Sequence, residues 1–217
     1  VIDAITVTLP TTLNLTGSRN NESITVTYTP ATNPISIASN ASANISYSFT
    51  IPSDAFNESY IGKPAFLTNL SDSNATLTIN LNVTPSPAAT VSAPTLYVIA
   101  GTTNSTSFNI SNTGNTDLND ITITIGSVSG VGANMTATLS SSSTTIAYQN
   151  SKLINATISA PLNQTAGAYS AKINVTYGAD KSTSSTLTVS VLAASRALTA
   201  TAASATWVRG ISTSAAA

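Results

Sequence analysis

Asparagine followed two positions later by serine or threonine is the pattern in this sequence that carries the most direct chemistry. The amide nitrogen of such an asparagine accepts an N-linked glycan when the middle residue is not proline. The chain has 21 asparagines, 37 threonines and 33 serines, a composition that would give about seven of these sequons by chance. It has fourteen: Asn14, Asn21, Asn40, Asn44, Asn57, Asn69, Asn74, Asn82, Asn104, Asn109, Asn134, Asn155, Asn163 and Asn174. This excess predicts a secreted protein coated with covalent glycans, and a β-rich composition heavy in serine and threonine is the alternative explanation.

Two groups of carboxylates suggest other chemistry. Asp54 and Glu58 share a loop with a sequon, and a carboxylate pair can hydrolyse glycosidic bonds, although a solvated loop explains them more simply. Asp117 and Asp120 stand in NTGNTDLND, where their oxygens would suit calcium. That segment lacks EF-hand spacing, and Asn and Asp form turns without metal. We therefore expect no catalytic residue, no metal site and no cofactor besides the covalent glycans.

The residue types that are missing exclude several kinds of enzyme. The chain has no cysteine and no histidine, which excludes disulfides, thiolate nucleophiles, histidine bases and the usual zinc sites. A serine nucleophile would lack its usual base. Lys63 and Lys172 would each suit an intramolecular isopeptide bond with a nearby Asn or Asp, but the sequence specifies no partner. We expect a protein that is not an enzyme.

Charge is scarce along the whole chain. Charged residues make up 7% of it, against about 25% in an average soluble protein, and the net charge is −1. This balance does not attract nucleic acid or an acidic membrane. No apolar run approaches the ~18–20 residues of a membrane span, and the first residue, Val1, favours a mature chain whose signal peptide has been removed. We expect an extracellular protein whose glycans supply the solubility that charges usually give.

The elements that must position these residues are strands. Apolar and polar residues alternate in many short segments, which is typical of half-buried antiparallel strands, and Thr, Ile and Val favour the pleated surface. Turn sequences such as TGSRNN and NTGNTD separate the segments. Many short strands at this spacing predict β-sandwiches. The segments are 5–9, 23–29, 45–51, 77–83, 95–100, 105–111, 121–126, 154–159, 171–177 and 187–191.

An internal repeat divides the chain into two similar parts. A shift of 109 residues aligns Pro52 with Pro161 and Tyr60 with Tyr169, and one further residue of shift aligns LTINL with LTVSV. Between the parts lies TPSPAATVSAP, whose prolines favour a short extended linker because proline cannot serve a central strand. We therefore predict two tandem sandwiches. The predicted boundaries are residues 1–84 for the first domain, 85–94 for the linker, 95–192 for the second domain and 193–217 for an extended tail.

The repeat does not extend to the start of the chain. The second part has two predicted strands before residue 120, whereas the first part has only VIDAITVTLP, residues 1–10, in their place. We predict that the first domain lacks at least one strand and accepts one from elsewhere. An inserted strand hidden by the alignment, or a smaller first domain, is the alternative.

Two resemblances extend this reading. GTTNSTSFNISNTGNTDLNDITITI, residues 101–125, and TISAPLNQTAGAYSAKINVTY, residues 157–177, resemble the immunoglobulin-like surface modules of archaea and bacteria. This implies two tandem immunoglobulin-like sandwiches of antiparallel strands in an all-β fold. Dense sequons, absent cysteine, scarce charge and two β modules together resemble the subunit of the archaeal thread, a glycosylated surface filament. That resemblance implies head-to-tail polymerisation by donor-strand complementation, in which a strand of one copy completes the sheet of the next.

Two segments would suit the role of donor. In the tail, Leu198, Ala200, Ala202 and Val208 share one face of an extended strand. At the N-terminus, Val1, Ile5, Val7 and Leu9 alternate more strongly. We favour the tail because the predicted strands of the second domain are complete without it, whereas the first domain needs residues 1–10. A donated strand would add backbone hydrogen bonds and place alternate side chains in the acceptor.

The leading hypothesis is therefore a structural subunit of an extracellular glycosylated filament with a role in adhesion or biofilm. Its partners would be other copies of itself, head to tail, together with an adhesion target on a surface or cell, and no nucleic acid. One alternative is a module of a surface-layer or adhesin protein. Another is a secreted carbohydrate-binding module, for which the single tryptophan and the scattered tyrosines form no aromatic platform.

Overall fold

The structure, a computed structural model, describes residues 4–10, 13–19, 23–29, 34–70 and 74–194. Every regular element in these residues is a β-strand, which confirms the predicted all-β class. The first half of the molecule, up to residue 84, contains β1 Ala4–Thr8, β2 Leu13–Thr16, β3 Ser23–Thr29, β4 Ile35–Ala38, β5 Ser46–Thr50, β6 Ser59–Gly62, β7 Ala65–Thr68, β8 Ala75–Thr76 and β9 Ile79–Asn82. The second half contains β10 Ala89–Ser92, β11 Thr95–Ile99, β12 Thr103–Asn112, β13 Leu118–Ile125, β14 Thr136–Leu139, β15 Ser143–Ile146, β16 Ser151–Ser159, β17 Gly167–Tyr177 and β18 Lys181–Leu192.

The second half is a sandwich of a four-stranded and a five-stranded sheet. Their strand orders are β10-β12-β16-β14 and β11-β18-β17-β13-β15. The pairs are antiparallel except β11 with β18, which run parallel with Leu96 opposite Val189. The neighbouring strands β10 and β11 thus join different sheets, one on each side of the sandwich, in the immunoglobulin-like manner.

The first half also has two sheets, with strand orders β4-β1-β7-β8 and β5-β3-β2-β6-β9. All pairs in it are antiparallel. A pair of sheets in each half confirms the predicted class of immunoglobulin-like, sandwich-like halves.

Alternation explains which residues enter the core of the second half. In β17, every second side chain from Tyr169 to Tyr177 is buried, and serine, lysine, asparagine and threonine point outward between them. Together with partners such as Phe108 and Ile158, these residues form one cluster of 24 buried side chains. The buried cluster found among the described residues of the first half is smaller: Leu15, Ile24, Val26, Ala55 and Tyr60.

Both halves contain the same corner. The hydroxyl of Tyr60 donates a hydrogen bond to the carbonyl of Phe56 at 3.1 Å, and that of Tyr169 donates to the carbonyl of Thr165 at 2.9 Å. In each case a buried tyrosine at the start of a strand reaches back four residues, which is the tyrosine corner of immunoglobulin-like sandwiches. The tyrosines that the repeat aligns therefore do the same structural work.

The segment predicted as a linker, residues 85–94, is not linker throughout. It contains β10, which pairs with β12 as an edge strand, with Ala89 opposite Asn112. Pro87 and Pro94 flank this strand, where a missing N–H group breaks no ladder bond. The prolines that favoured a linker thus mark the limits of a short edge strand.

Candidate assembly site

The candidate site lies at the edges of the five-stranded sheet in the first half. Strands β5 and β9 are the outermost strands of that sheet. The repeat aligns β5 with β16 and β9 with β18, and both of these are interior strands, because β12 covers β16 and β11 covers β18. Both covering strands come from residues 95–112, the segment that has no aligned counterpart in the first half. Within the part of the chain that the structure describes, the first half therefore has open sheet edges where the second half has paired strands.

Apolar side chains on these edges are incompletely covered. Phe49 in β5 lies opposite Val26 and so shares its core-facing side, yet Phe49 is 38% exposed whereas the aligned Ile158 is 0% exposed. Leu77, just before β9, is 41% exposed, whereas the aligned Leu187 is 0% exposed. Burying such a side chain fully is worth roughly 1.5–3 kcal/mol. A strand added along these edges would therefore gain free energy by covering the exposed parts of Phe49 and Leu77.

The chemistry available at such an edge is strand addition. The outer side of an edge strand offers N–H and C=O groups that can pair with another extended chain. An added strand would form backbone hydrogen bonds along β5 or β9 and would place alternate side chains beside Phe49 or Leu77. No covalent step is required.

A junction of polar and aromatic contacts holds the two halves together. Arg19 forms an ion pair with Asp117, with 2.6 Å between Nη1 and Oδ2, and its guanidinium lies 4.4 Å from the ring centroid of Phe56. Phe56 packs edge-on against Tyr148 with 5.2 Å between ring centroids, and the Tyr148 hydroxyl donates to the carbonyl of Asp54. These contacts join the half that carries the open edges to the second half.

Asn115 completes the junction. Its carbonyl accepts the N–H of Asn57 at 2.9 Å, its Oδ1 accepts the N–H of Ser86 at 2.6 Å, and its Nδ2 donates to the carbonyl of Thr84 at 3.0 Å. Asn115, which is buried, therefore bonds the first half through its main-chain carbonyl and the connecting chain through its side-chain amide.

The two carboxylates engaged in and beside this junction are held in their charged form. The Arg19 guanidinium lowers the pKa of Asp117 below its usual value, and the N–H of Tyr148, 2.8 Å from Oδ1, acts in the same direction. The Ser18 hydroxyl, which donates to Glu58 at 2.5 Å, lowers the pKa of Glu58, with further help from the backbone N–H groups of Ser18 and Arg19. In both cases burial opposes these effects. Both carboxylates therefore serve structure.

The other acidic and basic candidates have exposed side chains. Asp54 and Asp120 are exposed, and Asp120 stands at a bulge in β13 with φ of 56°. Lys63 and Lys172 are also exposed. Among the described residues no three acidic side chains gather in a way that would hold a metal ion.

The two predicted donor segments differ in where they fall. The tail residues Leu198, Ala200, Ala202 and Val208, like Val1, lie outside the described residues. Ile5 and Val7 lie in β1, which pairs with β4 and with β7 in its own first half. Leu9 follows β1 and is buried. The choice of donor stays a prediction.

The sequon asparagines lie at the surface. Thirteen of the fourteen are described: Asn57, Asn109 and Asn174 are half-buried, and the other ten are exposed. The two buried asparagines, Asn112 and Asn115, stand outside sequons. This segregation suits glycan attachment in the folded protein, and occupancy stays a prediction. Asn21 lies outside the described residues.

Sequence reasoning missed the junction. Arg19 and Asp117 are 98 residues apart in the chain, so no local pattern links them. Asn115 belongs to the NTGNTD turn and lies outside any sequon. Its position outside a sequon is the sequence feature that could have suggested a structural role for this asparagine.

Comparisons with known proteins place the chain in no family. No family model and no curated protein sequence matches it. Three solved structures are similar at low TM-scores. A family 123 glycoside hydrolase from Clostridium perfringens has a TM-score of 0.40 and 14% identity, over 50% of this chain and 27% of that chain. The ASH/PapD-like domain 7 of human CEP192 has a TM-score of 0.39 and 16% identity, over 49% of this chain and 87% of that chain. Domains 4–9 of the surface layer protein SbsC have a TM-score of 0.36 and 13% identity, over 87% of this chain and 30% of that chain. The chain thus spans less than a third of the hydrolase and of the surface-layer fragment. The fold assignment therefore depends on the strand pairing described above.

In the described residues no helix is long and apolar enough to cross a membrane.

Proposed function

We propose that this protein is a structural subunit of an extracellular, N-glycosylated filament that polymerises head to tail, with a strand of one copy completing the first half of the next. The observation that carries the proposal is the contrast between aligned strands. β5 and β9 form sheet edges, whereas β16 and β18 are covered by β12 and β11.

A strand added from another copy would cover the edges at β5 and β9. An exposed sheet edge beside apolar side chains invites uncontrolled aggregation unless another chain covers it. A strand from a second copy covers it with a fixed register, and a head-to-tail contact between unlike surfaces does not close, so it generates a fibre. The same contact repeated in every copy builds the filament.

The tail is the better donor in this proposal. Donating β1 would remove a strand that already pairs with β4 and β7, whereas residues 195–217 follow a second half whose two sheets are already paired from β10 to β18. Small residues such as Ala200 and Ala202 would allow close approach to the edge but would bury little apolar area.

The glycans and the scarce charge support an extracellular role. With only 7% charged residues, the surface relies on serine, threonine and asparagine, and the described sequons are exposed or half-buried. Glycans on them would keep a filament hydrated and would present sugars for adhesion. In this proposal the protein is not an enzyme, and its partners are copies of itself and an adhesion target.

Electron microscopy of the purified full-length chain tests the proposal. We expect filaments with one subunit every ~60–70 Å, the length of two ~100-residue sandwiches end to end. A chain ending at residue 194 should stay monomeric, and a synthetic peptide of residues 195–217 should stop growth of the full-length chain. A planar lattice would favour a surface-layer module, and monomers that bind polysaccharide would favour a carbohydrate-binding module. Assembly of the truncated chain would transfer the donor role to the N-terminal segment of Val1, Ile5, Val7 and Leu9.

A further inference from the structure

The exposed apolar residues of the second half are concentrated at one end. The second half has six exposed large apolar side chains, and five of them lie at this end and form a group that we call the apolar pole. The sixth, Leu153, lies on the outer face of the four-stranded sheet. The pole consists of Tyr97, Ile99, Val131, Leu162 and Leu192.

Strand pairing and loop contacts bring the pole together. Ile99 ends β11 and lies opposite Leu192, the last residue of β18. The N–H of Gly101 donates to the carbonyl of Ala160 at 3.0 Å, and a Cβ at Gly101 would lie 2.9 Å from Leu162 Cδ1, so Leu162 sits against the turn that follows Ile99. The carbonyl oxygen of Val131 lies 3.3 Å from the hydroxyl of Tyr169, near the start of β17.

Charge is segregated to the opposite end. The charged residues of the second half are Asp117, Asp120, Lys152, Lys172, Asp180 and Lys181. All except Lys172, which lies midway along β17, belong to the turns and strand ends that face the junction. Among residues 85–194, all of which the structure describes, the apolar pole therefore has no charged side chain at its own end, so little desolvation of those charges would oppose its burial.

We propose that the apolar pole is a docking surface for the first half of a second copy, in addition to strand insertion. The inference rests on the proposed function. The described chain leaves the second half at this pole, at Ala194, and residues 195–217 continue from there. A copy that receives this segment is therefore brought against the pole.

The first half of that copy has matching apolar surface. Leu77 is exposed at the end far from the junction, since its N–H donates to the carbonyl of Pro64, beyond β6, and β9 runs from it towards the junction. Contact between the pole and this end would bury apolar area on both copies. Asn163 follows Leu162, and a glycan there would mark the polar rim of the contact.

Substitution of the pole in the full-length chain tests the inference. The variant Ile99→Thr/Leu162→Ser/Leu192→Thr should fold, because all three side chains are exposed and Thr suits strand positions. We expect at least a tenfold rise in the concentration needed for filament growth, measured by sedimentation, while Leu153→Ser, 65% exposed in the wild type, should leave it unchanged. If the wild type forms filaments and the triple variant needs the same concentration for growth, the docking surface is wrong and the proposed function still stands. Failure of the wild type to form filaments would instead contradict the proposed function.

Cysteine cross-linking gives a second, independent measurement. The chain has no cysteine of its own, so single substitutions report single positions. The reporter in the first half is Lys63, which is exposed, precedes the Pro64 that bonds Leu77 and lies outside the edge strand β9. A mixture of Leu162→Cys and Lys63→Cys chains should give disulfide-linked mixed dimers under assembly conditions, and a mixture of Leu153→Cys and Lys63→Cys should not. Equal yields in the two mixtures, or Leu162→Cys dimers without Lys63→Cys, would overturn the pairing of pole and first half.

Discussion

Leu77 and Leu187 occupy aligned positions in the two halves, yet Leu77 is 41% exposed and Leu187 is 0% exposed. The local patterns are nearly the same, LTINL and LTVSV. What differs is the neighbour: β11 covers the strand that contains Leu187, whereas the strand that follows Leu77 is the edge of its sheet. Alternation therefore sets which residues form a strand, but their burial also depends on the neighbouring strand and on the facing sheet that cover them.

The largest expected effect is the difference between leucine deletions at these two positions. Leu187→Ala should lower the free energy of unfolding by about 2–5 kcal/mol, because it leaves a cavity in a closed core. Leu77→Ala should cost less than about 1 kcal/mol in dilute, unassembled protein, because solvent already reaches that side chain. Urea denaturation followed by circular dichroism measures both.

The same pair also tests the open edge after assembly. In filaments, Leu77→Ala should become costly and should raise the concentration required for growth, since an added strand would bury that leucine. Equal losses for both variants in dilute protein would mean that the first half is already as well packed as the second, and the comparison would fail.

The next effect concerns how the closed half supports the open one. A Cβ at Gly114 would lie 2.5 Å from the N of Ala88 and 2.5 Å from the O of Ser86, and backbone cannot move aside cheaply. Gly114→Ala should therefore cost about 1–3 kcal/mol by overpacking. Its control is Gly126→Ala in the same half, whose Cβ would meet Lys172 O at an ordinary 3.5 Å.

Hydrogen exchange locates the loss. We expect Gly114→Ala to speed amide exchange in the first half more than in the core strands β16 and β17, because the NTGN turn holds the chain that connects the halves. Uniform acceleration in both halves would show that they unfold as one unit and that the junction is not where they separate.

Sequence reasoning recovered much of the second half, because long alternating strands such as β16 and β17 carry their pattern within one segment. It missed β10, since Pro87 and Pro94 disguise an edge strand as a linker. It treated Asp117 as a turn residue without a metal and did not foresee that this carboxylate pairs with Arg19 from the other half. Contacts of this kind depend on how the two halves meet, which no local pattern records. The vacancy beside β5 and β9 was accessible only by comparing one half with the other.

A smaller effect is expected from the ion pair that joins the halves. Asp117 and Arg19 are partly exposed, at 29% and 43% of their side chains, so Asp117→Asn should cost at most about 1 kcal/mol at neutral pH. The pKa of Asp117 is lowered in the folded protein, so its contribution is complete above the usual value of 3.8 and is lost as the pH falls through the lowered pKa. Wild type and variant should therefore converge in stability once the pH lies below the lowered pKa of Asp117.

Asp120→Asn provides the control, since Asp120 is exposed and asparagine accepts its positive φ. We expect that variant to match the wild type in stability at neutral pH. A difference between wild type and Asp117→Asn that persists below the lowered pKa of Asp117 would mean that the loss comes from packing of the asparagine and not from the charge.

The smallest change compares glycan attachment at the junction with attachment elsewhere in the first half. Asn57 is a half-buried sequon residue whose N–H is bonded to Asn115 and whose Oδ1 is buried, whereas Asn44 is exposed in a loop. A glycosylating enzyme would have to open the junction to reach Asn57, so glycopeptide mass spectrometry of the native protein should find Asn44 occupied and Asn57 largely bare. Arg19→Ala, which removes the Asp117 ion pair and the Phe56 contact, should raise occupancy at Asn57 and leave Asn44 unchanged. Full occupancy of Asn57 in the wild type would show that the two halves separate readily, and the closed half would then not be a fixed support for the open one.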